Sequence, residues 1–118
     1  SGSGSNYAIT TEVAVRVSGN RVFNESIAPG ETKVLTITNA ASATSLGINA
    51  YLDGVLSTES SSSSSTLATL NNPALIGRAA FAGSFCNCDI AEIVVYNVEL
   101  SATDRQNVEA YLKTKYGL

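Results

Sequence analysis

Residues 89–118 read DIAEIVVYNVEL followed by SATDRQNVEAYLKTKYGL, and this stretch decides the fold of the chain. Residues 89–96 are rich in β-branched side chains, with apolar residues at both parities. Such a run is typical of a strand that is buried on both faces. We therefore expect a buried strand over residues 89–96, with Ala91, Ile93 and Val95 shielded from water.

A helix is predicted directly after this strand, because both of its ends are marked. Ser101 can cap the helix, and Asp104 completes a capping-box pattern three residues later. Gly117 is placed where a left-handed residue ends a helix. One face of the predicted helix carries Val108, Tyr111, Leu112 and Lys115. We expect this face to pack against the rest of the domain.

The chain before residue 89 predicts short strands separated by turns. The turn signals are Gly19-Asn20, Pro29-Gly30 and Asp53-Gly54. The predicted strands cover residues 7–17, 22–27, 32–38, 46–51, 55–58, 66–70 and 74–78. The six serines at 60–65 lack an apolar face, so we expect an exposed loop there. The pattern predicts an all-β domain, an antiparallel β-sandwich with one C-terminal α-helix.

Composition limits the classes of function. The chain has 118 residues, which suits one domain over residues 6–118, after a Gly/Ser linker or tag remnant at 1–5. The formal charge of −3 disfavours a broad electrostatic contact with nucleic acid, and no apolar run is long enough for a membrane span. Histidine is absent, which removes the commonest general base and transition-metal ligand. We expect no enzyme.

Three pieces of the chain resemble a known family. They are INAYLDGVL, then ALIGR followed by FAGSFCNCDIAEIVVYNVEL, and the tail SATDRQNVEAYLKTKYGL. From about Leu46 onward, the C-terminal 60% of the chain resembles bacterial and phage versions of the concanavalin A-like, laminin-G-like jelly-roll domain. The resemblance implies a jelly-roll sandwich, and it implies binding of glycans or cell surfaces, in some members with calcium at the sandwich rim.

The chain departs from the family pattern in two ways. Cys88 replaces the glycine usually found before the Asp-Ile-Ala-Glu run, and residues 7–39 match no family motif. The domain is therefore either a minimal sandwich or half of one, completed by another chain. Half a sandwich would expose apolar faces and strand edges, so we expect self-association or completion by a partner protein.

Cys86 and Cys88 form a C-x-C pair, for which three states stay open. They are free buried thiols, a local disulfide, or thiols that pair between chains. A metal site needs more ligands than this pair supplies, so we expect no transition metal.

Oxygen-bearing side chains supply candidates for calcium, which prefers hard ligands. Asp53, Asn87 and Asp89 are the candidates in turns or connections, together with Asn71 and Asn72. Turn formation explains all of these positions without a metal, so the expectation is no cofactor, with calcium as the alternative. Asp89 and Glu92 could be taken for a glycosidase carboxylate pair, but this spacing puts them on opposite faces of a strand. We expect Glu92 instead to pair with a cation such as Arg78 or Lys115, or to accept main-chain hydrogen bonds.

Aromatic side chains are the usual platform for sugars, and the chain has five tyrosines but no tryptophan. Candidate ligand contacts are Tyr51, Asn71 and Asn72, whereas we expect Tyr96 and Tyr111 to be core residues. Two hypotheses follow. The first is a non-catalytic structural or assembly module of a virion, tail or extracellular filament, located extracellularly or on a virion surface. The alternative is a lectin-like, glycan- or cell-surface-binding module.

Overall fold

The computed structural model describes residues 11–17, 19–40, 44–62, 66, 76 and 87–118. These residues form six strands, a single 3₁₀ turn at Ser45–Gly47 and one α-helix. The elements are β1 (Thr11–Val17), β2 (Gly19–Ile27), β3 (Leu35–Asn39), β4 (Ile48–Leu52), β5 (Val55–Leu56), β6 (Glu59–Ser62) and α1 (Ala102–Tyr116).

The strands form two antiparallel sheets, with the orders β1-β2-β6 and β3-β4-β5. In the first sheet the β1–β2 ladder extends to the pair Val17↔Gly19. The predicted loop residues Gly19 and Asn20 are therefore strand residues, because pairing them adds main-chain hydrogen bonds to the ladder. A register shift between Glu12 and Ala14 interrupts this ladder.

The serine run is only partly the loop that its composition predicts. Ser61 and Ser62 pair with β2 opposite Val22 and Arg21, so β6 is an edge strand. The prediction of a loop over the whole run was wrong, because it considered side chains alone. Main-chain pairing with a neighbouring strand requires no apolar face. Residues 63–65 lie outside the described part of the chain.

Local turn chemistry builds the second sheet as predicted. Asp53 and Gly54 have φ of 51° and 87°, and they join the β4–β5 pair Leu52↔Val55 as a two-residue hairpin. Gly30 has φ of 85°, and the amide of Glu31 donates to the carbonyl of Ala28 across that turn. The positive φ angles of Gly30 and Gly54 explain why glycine is favoured at these two positions.

The two sheets contact each other through a small core. Phe23 of β2 and Ala50 of β4 form it, with exposed fractions of only 2% and 0%. Val34 and Ile48 are also buried. This packing of antiparallel sheets, together with one helix, is consistent with the predicted β-sandwich. The jelly-roll connectivity stays a prediction.

Residues 89–96 do not form the buried strand that their composition predicts. No described strand pairs with them, and Ile93 and Val95 are 52% and 84% exposed. Ala91 is exposed as well, and so are Tyr96 and Tyr111, which were expected in the core. β-branched residues favour an extended strand, but a strand is formed only where a neighbouring strand is available for main-chain pairing.

Helix α1 has the predicted ends. The Ser101 side chain accepts a hydrogen bond of 3.1 Å from the Asp104 amide, and the Ser101 hydroxyl donates to the Asp104 carboxylate. Gly117 is left-handed, and the amide of Leu118 donates to the carbonyl of Lys113. These contacts satisfy main-chain groups at both ends that have no partner inside the helix.

Two further predicted strands fall mostly outside the described residues. Of 66–70, only Thr66 is described, and it forms an isolated antiparallel bridge with Thr44. Of 74–78, only Ile76 is described, at an exposed bend. None of the described helical segments has the length and hydrophobicity required to traverse a lipid bilayer.

Candidate functional site

A wide groove separates β3 from residues 87–100, and we call it the β3 groove. One wall is β3 with the residues before it, the opposite wall is the segment 87–100, and one face of α1 lines the groove as well. Its volume is about 1420 Å³. A space of this size could accommodate a peptide segment or a ligand larger than most small molecules.

The edge of β3 away from β4 has no partner strand among the described residues, and it presents main-chain groups to this groove. In an antiparallel ladder, hydrogen-bonded and non-hydrogen-bonded residue pairs alternate. The amide of Asp53 donates to the carbonyl of Val34 and the amide of Ala40 to that of Gly47, so the even-numbered residues of β3 are bonded to β4. The N–H and C=O groups of Leu35 and Ile37 therefore point away from β4. No described strand pairs with this side.

The groove is lined by apolar side chains that remain in contact with water. Leu35 and Ile37 lie on the same face of the sheet as Ala50, yet they are 46% and 44% exposed. The opposite wall carries six exposed apolar side chains, which are Ile90, Ile93, Val94, Val95, Tyr96 and Val98. A contiguous exposed apolar surface of this kind marks an interaction site in soluble proteins.

A buried ion pair fixes α1 next to the β4–β5 hairpin. Arg105 Nη1 donates to both Glu109 carboxylate oxygens at 2.8 Å, and both side chains are buried. The Arg105 guanidinium also stacks on the Tyr51 ring, 3.7 Å from its centroid. A Cβ added to Gly54 would lie 3.1 Å from Glu109 Oε2, so the helix contacts the hairpin closely. Thus the helix buries charged rather than apolar side chains.

Asp53, a predicted calcium ligand, is occupied by other contacts. Its Oδ1 accepts a hydrogen bond of 2.9 Å from the Val34 amide, and its Oδ2 lies 3.3 Å from Lys33 Nζ. Burial raises the pKa of Asp53, but the Val34 amide and the Lys33 ammonium outweigh it, so the pKa is lowered overall. These contacts stabilise the charged form of the carboxylate, which joins the β4–β5 turn to the residues before β3.

The other predicted site residues do not converge with Asp53 on one centre. Asn87 and Asp89 are exposed at the start of the segment 87–100, whereas Asn71 and Asn72 lie outside the described residues. Within the described part of the chain, no three His, Cys, Asp or Glu side chains group closely enough to hold a metal ion.

Cys88 is disulfide-bonded. The chain contains one other cysteine, Cys86, which lies outside the described residues. Cys88 itself is exposed at the start of the segment 87–100. The disulfide thus constrains the chain where it enters the wall of the β3 groove.

The predicted ligand contact Tyr51 has one ring face covered by Arg105. That face cannot stack on a sugar. By contrast, Tyr111 and Tyr116 are exposed, and Lys115 Nζ lies 5.7 and 5.5 Å from their ring centroids. An aromatic surface therefore lies on the C-terminal half of α1 rather than at Tyr51.

Glu92 ties the segment 87–100 to the end of α1. Its Oε2 accepts hydrogen bonds from Lys115 Nζ at 2.8 Å and from the Tyr116 hydroxyl at 2.6 Å. The bond from Lys115, and then that from Tyr116, lowers the pKa of Glu92. The same contacts raise the pKa of Lys115 and of Tyr116. A glycosidase general acid needs a raised pKa, so Glu92 has the opposite of the required property.

A family model described as the concanavalin A-like lectin/glucanases superfamily matches residues 2–104. The chain belongs to this superfamily. The location of the match differs from the C-terminal 60% from which the resemblance was inferred, because the match includes residues before Leu46 and ends at residue 104, within the tail. No curated protein and no solved structure matches the chain.

The pairing of Glu92 with Lys115, which was one of the expected alternatives, is confirmed, but sequence reasoning missed the buried ion pair of α1 and the β3 groove. Arg105 and Glu109 are separated by four residues, which is a signal for a helical ion pair. Nothing in that spacing shows that the pair is buried, because ion pairs at this spacing are usually exposed. The β3 groove carries no motif, since its two walls come from residues 27–39 and 87–100, which are far apart in the chain.

The contact between α1 and the hairpin can be tested by comparing two glycines. Gly54→Ala and Gly30→Ala both place a side chain at positive φ, which costs about 1–2 kcal/mol. At Gly54 the new Cβ also meets Glu109, which cannot shift freely because Arg105 holds it, whereas at Gly30 nothing lies within 4 Å. We expect Gly54→Ala to lose roughly 1 kcal/mol more in urea unfolding. Equal losses would contradict the docking of α1 on the hairpin.

The link between Glu92 and α1 should be sensitive to acid. The pKa of Glu92 is lower in the folded protein than its usual 4.5, so its stabilising contribution is complete above that pH. The contribution is lost as the pH falls through the folded pKa. We expect the NMR signals of the Lys115 ammonium and the Tyr116 ring, which both donate to Glu92, to shift in one step as the pH falls through the folded pKa of Glu92. Glu92→Gln is the control, since the same signals should show no acid step in this variant. An acid step that persists in this variant would show that another group is responsible.

Proposed function

We propose that this domain is a non-catalytic assembly module that accepts an extended strand of another polypeptide in the β3 groove. The observation that carries the proposal is the unpaired edge of β3 beside exposed apolar side chains. A strand added there would pair with the main-chain groups of Leu35 and Ile37, and its side chains would cover the apolar wall. Strand addition of this kind combines main-chain hydrogen bonds with side-chain specificity.

The groove exposes apolar side chains that a partner strand could cover. Leu35 and Ile37 lie on the inward face of their sheet, so leaving them in water forgoes burial of roughly 25 cal/mol per Å². An exposed edge is also a hazard for a free protein, because it templates unwanted pairing. A specific partner strand removes both costs at once.

We place this module in an extracellular structure, such as a virion surface, a tail or a filament. The disulfide at Cys88 supports an oxidising compartment, since such bonds are rare in reducing cytosol. The superfamily also includes glucanases, but catalysis is not supported by the described site. A glycosidase uses two carboxyl groups, of which the general acid has a raised pKa, whereas the hydrogen bonds from Lys115 and Tyr116 lower the pKa of Glu92.

Amide hydrogen exchange tests the proposed function without knowledge of the natural partner. In the free domain we expect the amides of Leu35 and Ile37 to exchange quickly, while those of Thr36 and Thr38 are protected by β4. A synthetic peptide of alternating valine and threonine should slow exchange at Leu35 and Ile37 and leave Thr36 and Thr38 unchanged. A proline-containing version of the peptide, which cannot extend the ladder, is the control.

Two results would refute the proposal. If the free monomer already protects Leu35 and Ile37, residues of the same chain occupy the edge and no partner strand is needed. If the peptide binds without protecting these two amides, the groove attracts apolar peptides but does not add a strand.

The tyrosines on α1 favour a second candidate function, binding of a glycan. Tyr111 and Tyr116 are exposed on both sides of Lys115, and aromatic rings beside a polar group are suited to sugar recognition. The superfamily description also names lectins. We expect binding on a glycan array to be lost in Tyr111→Ser, while Tyr51→Phe, which keeps its ring under Arg105, retains it. Arrays with and without calcium should agree, and absence of binding to every sugar would remove this candidate.

A further inference from the structure

We propose that the strand accepted by the β3 groove is basic, so that the partner is a cationic, apolar-alternating segment of a different polypeptide. This inference rests on the proposed function, because it specifies the chemistry of the strand that the groove accepts. It follows from a comparison of the charged side chains that line the groove. The cations are paired within the domain, whereas several carboxylates have no cation beside them among the described residues.

The cations that line the groove are engaged within the domain. Lys33 Nζ lies 3.3 Å from Asp53 Oδ2, and Arg105 Nη1 lies 2.8 Å from Glu109 Oε2. The pair formed by Arg105 is buried. Neither cation is therefore free to neutralise a carboxylate elsewhere in the groove.

Three carboxylates on the groove remain without an ion-pair partner among the described residues. They are Glu31, Asp89 and Glu99, and all three are exposed. Glu31 accepts a hydrogen bond from the Ala28 amide, which leaves its charge in place. Asp89 and Glu99 lie near opposite ends of the segment 87–100. A strand with lysine or arginine near both of its ends would place cations beside these carboxylates.

A second copy of this chain is a poorer occupant. Each copy has a formal charge of −3, so approach of two copies is repulsive. If the exposed segment of a second copy entered the groove, its own Asp89, Glu92 and Glu99 would lie near the same carboxylates. Like charges in an interface select against the wrong partner. The charge pattern thus favours a different polypeptide over self-association.

Three peptides with the same alternating Val-Thr centre test this inference, carrying terminal lysines, threonines or glutamates. We expect fluorescence anisotropy at low salt to give binding roughly tenfold tighter for the lysine peptide than for the threonine peptide. The glutamate peptide should bind most weakly. At about 0.5 M salt the three affinities should converge, because exposed charges are screened.

Variants of the domain locate the effect. Asp89→Asn combined with Glu99→Gln and Glu31→Gln, which keeps an acceptor for the Ala28 amide, should abolish the preference for the lysine peptide while leaving the affinity for the threonine peptide unchanged. Glu59→Gln is the matched control, since it removes a carboxylate from β6 of the other sheet and should retain the preference. Protection of the Leu35 and Ile37 amides in each complex shows that binding is at the edge of β3.

The outcomes separate the two proposals. Equal affinities for the lysine and threonine peptides, with Leu35 and Ile37 protected, would overturn the inference and leave the assembly function standing. Failure of all three peptides to bind would overturn both. Concentration-dependent dimerisation that protects the same two amides would show that a second copy occupies the groove, which also overturns the inference.

Discussion

The contact of the Arg105–Glu109 pair of α1 with Tyr51 and Gly54 of the hairpin places the helix, and the rest of the site depends on it. Both side chains of this pair are buried, and a buried charge is costly unless a partner satisfies it. Here each charge satisfies the other, and the guanidinium also stacks on Tyr51. The carboxylate in turn lies against Gly54, where any larger residue would intrude. The helix therefore has one favourable position on the hairpin.

The helix in turn holds the segment 87–100 through hydrogen bonds at its C-terminal end. Lys115 and Tyr116, at the C-terminal end of α1, both donate to Glu92 of that segment. The hairpin thus holds the helix in place. The helix then holds the segment 87–100, which is the wall of the β3 groove that does not contain β3. A rigid support of this kind is what a binding site requires, because a groove whose walls move loses affinity to ordering costs.

The open edge of β3 explains why the charges in the groove matter. Proteins commonly protect exposed edges with charged residues that discourage pairing with a copy of the same chain. Glu31, Asp89 and Glu99 can have this role here, since each copy presents the same sign. The same carboxylates would attract a strand of opposite charge. On this proposal, the negative charge of these carboxylates both repels a second copy of the chain and attracts a basic strand.

Signals carried by neighbouring residues were reliable guides to local structure. The cap at Ser101, the left-handed Gly117 and the Asp53-Gly54 turn all occur as predicted, because each depends on contacts within a few residues. Predictions that needed a distant partner were not reliable. Residues 89–96 have the composition of a buried strand and are exposed, while Ser61 and Ser62 have the composition of a loop and are paired.

The sequence by itself determined the superfamily, the β-rich class, the turns and both ends of the helix. It also ruled out histidine-dependent chemistry, since that depends on composition alone. The tertiary structure was needed to show which side chains of α1 are buried, which edge of the second sheet has no partner in the described part of the chain, and which carboxylates there lack a cation. These properties depend on contacts between segments far apart in the chain, and neither composition nor periodicity encodes such contacts locally.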